Sequence, residues 1–116
     1  MKTVDDCIFC KIIEGKIPSE FVYEDDLVCA FKDLNPLAPV HILIVPKHHY
    51  DDILDDVDAD TLSALVHAAR EIAAHYKLEH GLRLVTNKGD DAGQSVHHLH
   101  IHLLGAAPLS NSFGKA

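Results

Sequence analysis

Apolar and polar residues alternate along His98-Leu99-His100-Ile101-His102-Leu103, within the stretch 94–104. That period of two predicts a strand with three imidazoles on one face and Leu99, Ile101 and Leu103 on the other. The apolar face can bury against a core and hold the histidines in a row. Residues 21–24 and 27–31 are short β-prone runs separated by Asp25-Asp26, which predicts a hairpin. Residues 41–45 are almost continuously apolar and end at Pro46, which predicts a central strand. Residues 82–86 predict one more. From 61 to about 79 the period changes to 3.6, with Leu62, Leu65, Val66, Ala69, Ile72 and Tyr76 as the stripe, Asp60 as cap and Gly81 as stop. His67 and His75 fall off the stripe and read as exposed residues without function. Residues 7–13 predict a short helical turn ended near Gly15 and Pro18, and 51–60 a solvated acidic linker. The expectation is an α+β fold: a five-stranded antiparallel sheet with one long helix and a short N-terminal helix, packed on one face.

At 116 residues the chain is one domain, 1–116. With 18 acidic and 10 basic residues its formal charge is −8, which argues against nucleic acid or anionic lipid as a partner. A small phosphate ligand needs only a local cradle and stays open. The start lacks a hydrophobic signal segment and no apolar run approaches a membrane span, so the expected location is cytoplasmic. Cys7, Cys10 and Cys29, an odd count in a reducing compartment, make no disulfide framework.

Imidazole serves nucleophilic, acid–base and metal chemistry near neutral pH, and desolvating three together is costly without a role. The Gly-rich polar loop 87–95 just upstream can bring backbone N–H groups to an anion. Histidines fed by such a loop point to a phosphorylated ligand. His41 starts its strand where a loop–strand junction can aim it into the same site. Cys7 and Cys10, in Cys-x-x-Cys spacing, can form half of a tetrahedral zinc site. A redox pair, or plain free thiols, are the alternatives, and no thioredoxin-like βαβ pattern follows to favour the first.

His98-Leu99-His100-Ile101-His102-Leu103-Leu104 resembles the His-x-His-x-His-x-x signature of the histidine triad (HIT) family. Residues 8–12, 23–26, 31–34, 41–47 and 93–96 resemble its Hint branch, so the likeness spans a core of about 7–105 and leaves 106–116 as an irregular tail. The resemblance implies a purine nucleotide-binding hydrolase, a nucleoside 5′-phosphoramidase or nucleotidyl hydrolase acting at the α-phosphorus. It implies His100 as nucleophile, His98 as its orienter, His102 on phosphate oxygens, His41 completing the cluster, and Ser95 and Asn87 on phosphate and leaving group. A neutral imidazole can attack phosphorus and then yield the nucleotidyl group to water. Gly93 and Val96 fall in the block matched to the phosphate loop. Asp33 matches the carboxylate that accepts the ribose hydroxyls; Ile8, Phe9, Ile12, Phe31 and Leu34 match the apolar slot for the base. The likeness also implies a structural zinc held by Cys7, Cys10, His49 and His98, with no organic cofactor, and a homodimer formed by pairing sheet edges. His48 falls one place off the family position. The chain has no tryptophan, unlike the tail of animal members; Phe113 either docks on a partner subunit or frays.

Two rivals are a metallohydrolase, with His98, His100 and His102 (or two of them with His41) around a catalytic metal, and a non-catalytic module that binds a nucleotide or a partner. Turnover of a phosphoramidate separates the last from the others.

Overall fold

The computed structural model describes residues 1–111, so the expectation for Phe113 lies outside them. Asp25 makes the first hairpin. Its carboxylate accepts from the N–H groups of Leu27 and Val28, both at 2.8 Å, and turns β1 (Phe21–Glu24) back along β2 (Val28–Lys32). β3 (Val40–Pro46) pairs with β2 and with β5 (Ile101–Gly105), and β4 (Leu82–Val85) pairs with the far side of β5. The sheet is antiparallel throughout, in the order β1-β2-β3-β5-β4, so the most apolar strand is central as its composition predicts.

Alternation splits the sheet into two apolar layers. Val28, Ala30, Ile42, Ile44 and Leu103 pack under α2 (Ala59–His75) against Leu65, Ala68, Ala69 and Ile72. Cys29, Phe31, Leu43 and Val45 line the opposite face with Phe9 and Cys10 of α1 (Ile8–Ile13). The sequence-derived stripe on α2 needs correction. Leu62 and Val66 are exposed, because they lie about 100° round the helix from the buried line Thr61, Leu65, Ala68 and Ile72. The helix bounds also shift. Asp58, not Asp60, occupies the cap position, and the chain leaves the helix at Lys77, which takes a left-handed φ of 55°. Gly81, with φ 114°, comes too late to be the stop. The acidic segment after β3 is partly docked as well, with Ile53 and Val57 packed against the core. Among the described residues no helix is long and apolar enough to cross a membrane.

The histidine strand is shorter than its sequence pattern. β5 starts at Ile101, opposite Ile44, so His98 and His100 precede the ladder. Continuing the register would set Pro46 against Leu99, and proline has no N–H to offer. Leu99 N–H donates instead to the Tyr50 carbonyl at 2.7 Å. The alternation survives in burial, since Leu99 and Leu103 reach the core beneath the helix while His98, His100 and His102 are buried on the other side.

Candidate functional site

Three hydrogen bonds set the protons on the central imidazoles. Nδ1 of His100 lies 2.7 Å from the main-chain carbonyl of His98. A carbonyl only accepts, so Nδ1 carries the proton and Nε2 of neutral His100 keeps its lone pair. Leu37 N–H donates to Nδ1 of His41 at 3.0 Å, which leaves the His41 proton on Nε2, 2.9 Å from Nδ1 of His102. His41 therefore donates to His102, and neutral His102 carries its own proton on Nε2. The two residues are diagonal neighbours on one face, because His41 opposes Leu104 and His102 opposes Leu43. Burial lowers the pKa of His100 and His41 and takes His102 down to about 4, so all three are neutral at pH 7. Rings of His100 and His102 are 5.0 Å apart, and Phe9 meets His100 edge-on at 5.2 Å.

A second cluster lies at the start of the same segment. Nδ1 of His98 is 3.3 Å from Sγ of Cys7 and 3.5 Å from Sγ of Cys10, and Nδ1 of His49 is 3.4 Å from Sγ of Cys10. All four residues are buried, and their ligand atoms lie within 4.8 Å of one another. They form a group able to bind a metal. A tetrahedral zinc, with bonds of about 2.3 Å to sulfur and about 2.05 Å to nitrogen, sets sulfur–nitrogen separations near ~3.6 Å, so the donors fit. The outer hydrogen bonds fit too. Nε2–H of His98 donates to the Pro46 carbonyl at 2.8 Å and Nε2–H of His49 to Asp51 Oδ1 at 3.0 Å, which leaves both Nδ1 atoms unprotonated toward the sulfurs. Burial pushes the Cys10 thiol up to about 11, a cost that a bound cation offsets by holding the thiolate. His48 stays outside the group and accepts from Lys2 N–H.

The remaining candidates are distributed as follows. Phe9 and Phe31 are buried edge to face at 5.5 Å, with Ile12 and Val96 packed against the same cluster. Ile8, Ser95 and Val96 line a hollow of about 420 Å³ shared with Cys7 and His49. Asp33 places Oδ2 3.5 Å from His41 Nε2, and its Oδ1 accepts from Asn35 N–H at 2.8 Å. Gly93, with φ 79°, is exposed, and Asn87 is half-buried just past β4. Leu34 is not gathered into the apolar cluster: at 94% exposure it stands free on the loop after β2. Two contributors were missed in the sequence. Thr86 Oγ1 donates to the His100 carbonyl at 2.9 Å, and the buried Gln94 amide bonds three main-chain groups. Position beside the histidine stretch was the only signal for Thr86, whereas Gln94 stood within the block 93–96 that carries the family likeness.

The HIT domain family pattern matches residues 14–109, and therefore speaks to the histidines but not to Cys7, Cys10 or Phe9. An uncharacterized HIT-like protein of Synechocystis is 46% identical over 108 residues, covering 91% of this chain and 95% of its own. The structure of a HIT family hydrolase from Clostridium thermocellum superposes with a TM-score of 0.89 at 44% identity, over 96% of this chain and 99% of that one. A hypothetical histidine triad nucleotide-binding protein from Sulfolobus tokodaii gives a TM-score of 0.79 at 36% identity, over 90% and 71% of the two chains.

Proposed function

This chain belongs to the HIT domain family, and on that premise we propose that it is a purine nucleotide-binding hydrolase, a nucleoside 5′-phosphoramidase that works through a nucleotidyl-histidine intermediate. The observation that carries the reading is the pinned His100 ring. Its Nδ1–H is held by the His98 carbonyl and its pKa is lowered by burial, which leaves a neutral Nε2 free to attack.

In the first step the Nε2 lone pair forms a bond to the α-phosphorus and the bond to the leaving nitrogen breaks, that nitrogen taking up one proton from solvent and departing as the neutral amine. In the second, water attacks phosphorus and gives up one proton, the bond to Nε2 breaks, and AMP leaves with neutral His100 restored. His102, its Nδ1 filled by His41, presents Nε2–H to the phosphate oxygens. Ser95 and Asn87 serve the phosphate and leaving group, Gly93 and Val96 the phosphate loop, and Asp33 the ribose. Ile8, Phe9, Ile12 and Phe31 are the walls for the base. Cys7, Cys10, His49 and His98 would hold a zinc through four protein ligands, and it would supply structure in place of chemistry. A homodimer through β4 fits an edge strand whose Leu84 is 43% exposed.

Asp33, His41 and His102 are also near enough to share a metal. The Leu37 N–H opposes that use, because it occupies His41 Nδ1 and keeps the proton on the Nε2 that would have to ligate. The nucleophile reading is therefore preferred to a metallohydrolase.

The test is hydrolysis of adenosine 5′-phosphoramidate by wild type and His100→Ala, with mass analysis of acid-quenched protein. Wild type should show an adenylyl adduct on His100. The variant should lose about a thousandfold or more in turnover while AMP affinity stays within a few-fold. Turnover without an adduct would move the assignment to water activation, and AMP binding without turnover would leave a binding module.

A further inference from the structure

Gln94 is 7% exposed, and its amide is committed entirely to main chain. Oε1 accepts from Gly89 N–H at 2.9 Å, and Nε2 donates to the carbonyls of Asp51 at 2.8 Å and Val96 at 3.1 Å. The orientation is unambiguous, since a flipped amide would set its oxygen against two carbonyl oxygens.

These bonds join pieces that are otherwise loosely related. Gln94 N–H also donates to the Gly89 carbonyl at 3.1 Å, so residues 89–94 close a ring around the 3-10 turn Asp90–Ala92. Gly89 and Gly93, with φ 83° and 79°, give that ring its shape but attach it to nothing. The Lys88–Asp52 ion pair at 3.4 Å reaches the same neighbouring segment, but its lysine is half exposed and such pairs hold weakly. Gln94 supplies the buried attachment. At one end it grips the ring; at the other it grips Asp51, whose carboxylate accepts from the His49 ring.

We propose that Gln94 is a positioning residue that fixes the loop 89–96 against Asp51, in the shape that lays Ser95 and Val96 along the phosphate of a bound nucleotide. It touches no substrate. The proposal rests on the nucleotide reading above, and Gln94 decides affinity for the phosphate while leaving the nucleoside contacts alone.

Gln94→Met keeps the side-chain length without hydrogen bonds, and Gln94→Glu keeps the acceptor while replacing the donor with an oxygen that repels two carbonyls. Binding of AMP and of adenosine is measured for wild type and both variants, with amide hydrogen exchange on the same samples. Both variants should weaken AMP about tenfold and leave adenosine within about twofold, and faster exchange should be confined to residues 89–96. A parallel loss of AMP and adenosine would make Gln94 a general structural residue and overturn the proposal. So would unchanged AMP affinity in a folded variant. If wild type binds neither ligand, the nucleotide reading fails by itself; exchange confined to 89–96 then still supports the latch, and unchanged exchange removes it.

Discussion

The main-chain carbonyl of His98 accepts from Nδ1 of His100 at 2.7 Å while the His98 ring turns its own Nδ1 to the sulfurs of Cys7 and Cys10. One residue thus belongs to two sites. Whatever fixes the His98 ring also fixes the oxygen that sets the proton on His100.

Removing the metal ligands should therefore reach the reactive imidazole. Zinc at a hundredfold excess over its dissociation constant stabilises by about 2.7 kcal/mol, on the order of 10 °C in melting temperature for a domain of this size. Cys10→Ser is expected to lose bound zinc, melt about that much lower, and let the His100 ring exchange tautomers in nitrogen-15 spectra. Asp33→Asn should keep one zinc per chain. Metal content that survives Cys10→Ser and falls in Asp33→Asn would place the metal in the other cluster.

Acid should destabilise the protein in a definite window. Burial holds His102 near about 4 in the fold, whereas an unfolded histidine titrates near about 6.5. Between those values the unfolded chain binds the extra proton, so the contribution is fully present above pH ~6.5 and is lost as pH falls toward ~4. His102→Asn should make the fall in melting temperature across that window shallower. An equally steep fall in the variant would assign the proton uptake to other groups.

Lys77 takes a left-handed φ of 55° where the chain leaves α2, a conformation that costs a side chain about 1 kcal/mol and glycine little. Lys77→Gly should raise stability in chemical denaturation by about 0.5–1 kcal/mol. A loss of stability would mean that entropy gained by the unfolded glycine chain outweighs the relief of strain.

Much of this was legible in the residues. Alternation at 98–103 put three histidines opposite the core, the Asp25 turn and the long helix followed from spacing, and the central place of β3 followed from its almost continuous apolar run. The family likeness named His49 and His98 as companions of Cys7 and Cys10, residues that only folding brings together. Other features depend on register and contact, which periodicity does not carry. The late start of β5 needs Pro46 to stand opposite Leu99. Leu62 and Val66 read as stripe because apolar identity does not say which side of a helix meets the sheet. Gln94 looked like one more polar loop residue, since three main-chain partners at positions 51, 89 and 96 cannot be seen from its neighbours.

The short β5 has a cost and a return. An eight-residue ladder from His98 onward would be the more regular protein, and a designer idealising the segment would build it. It would also turn the His98 and His100 carbonyls toward a neighbouring strand, whereas here one accepts from an imidazole and the other from Thr86. Perfecting the sheet would unmake the reagent.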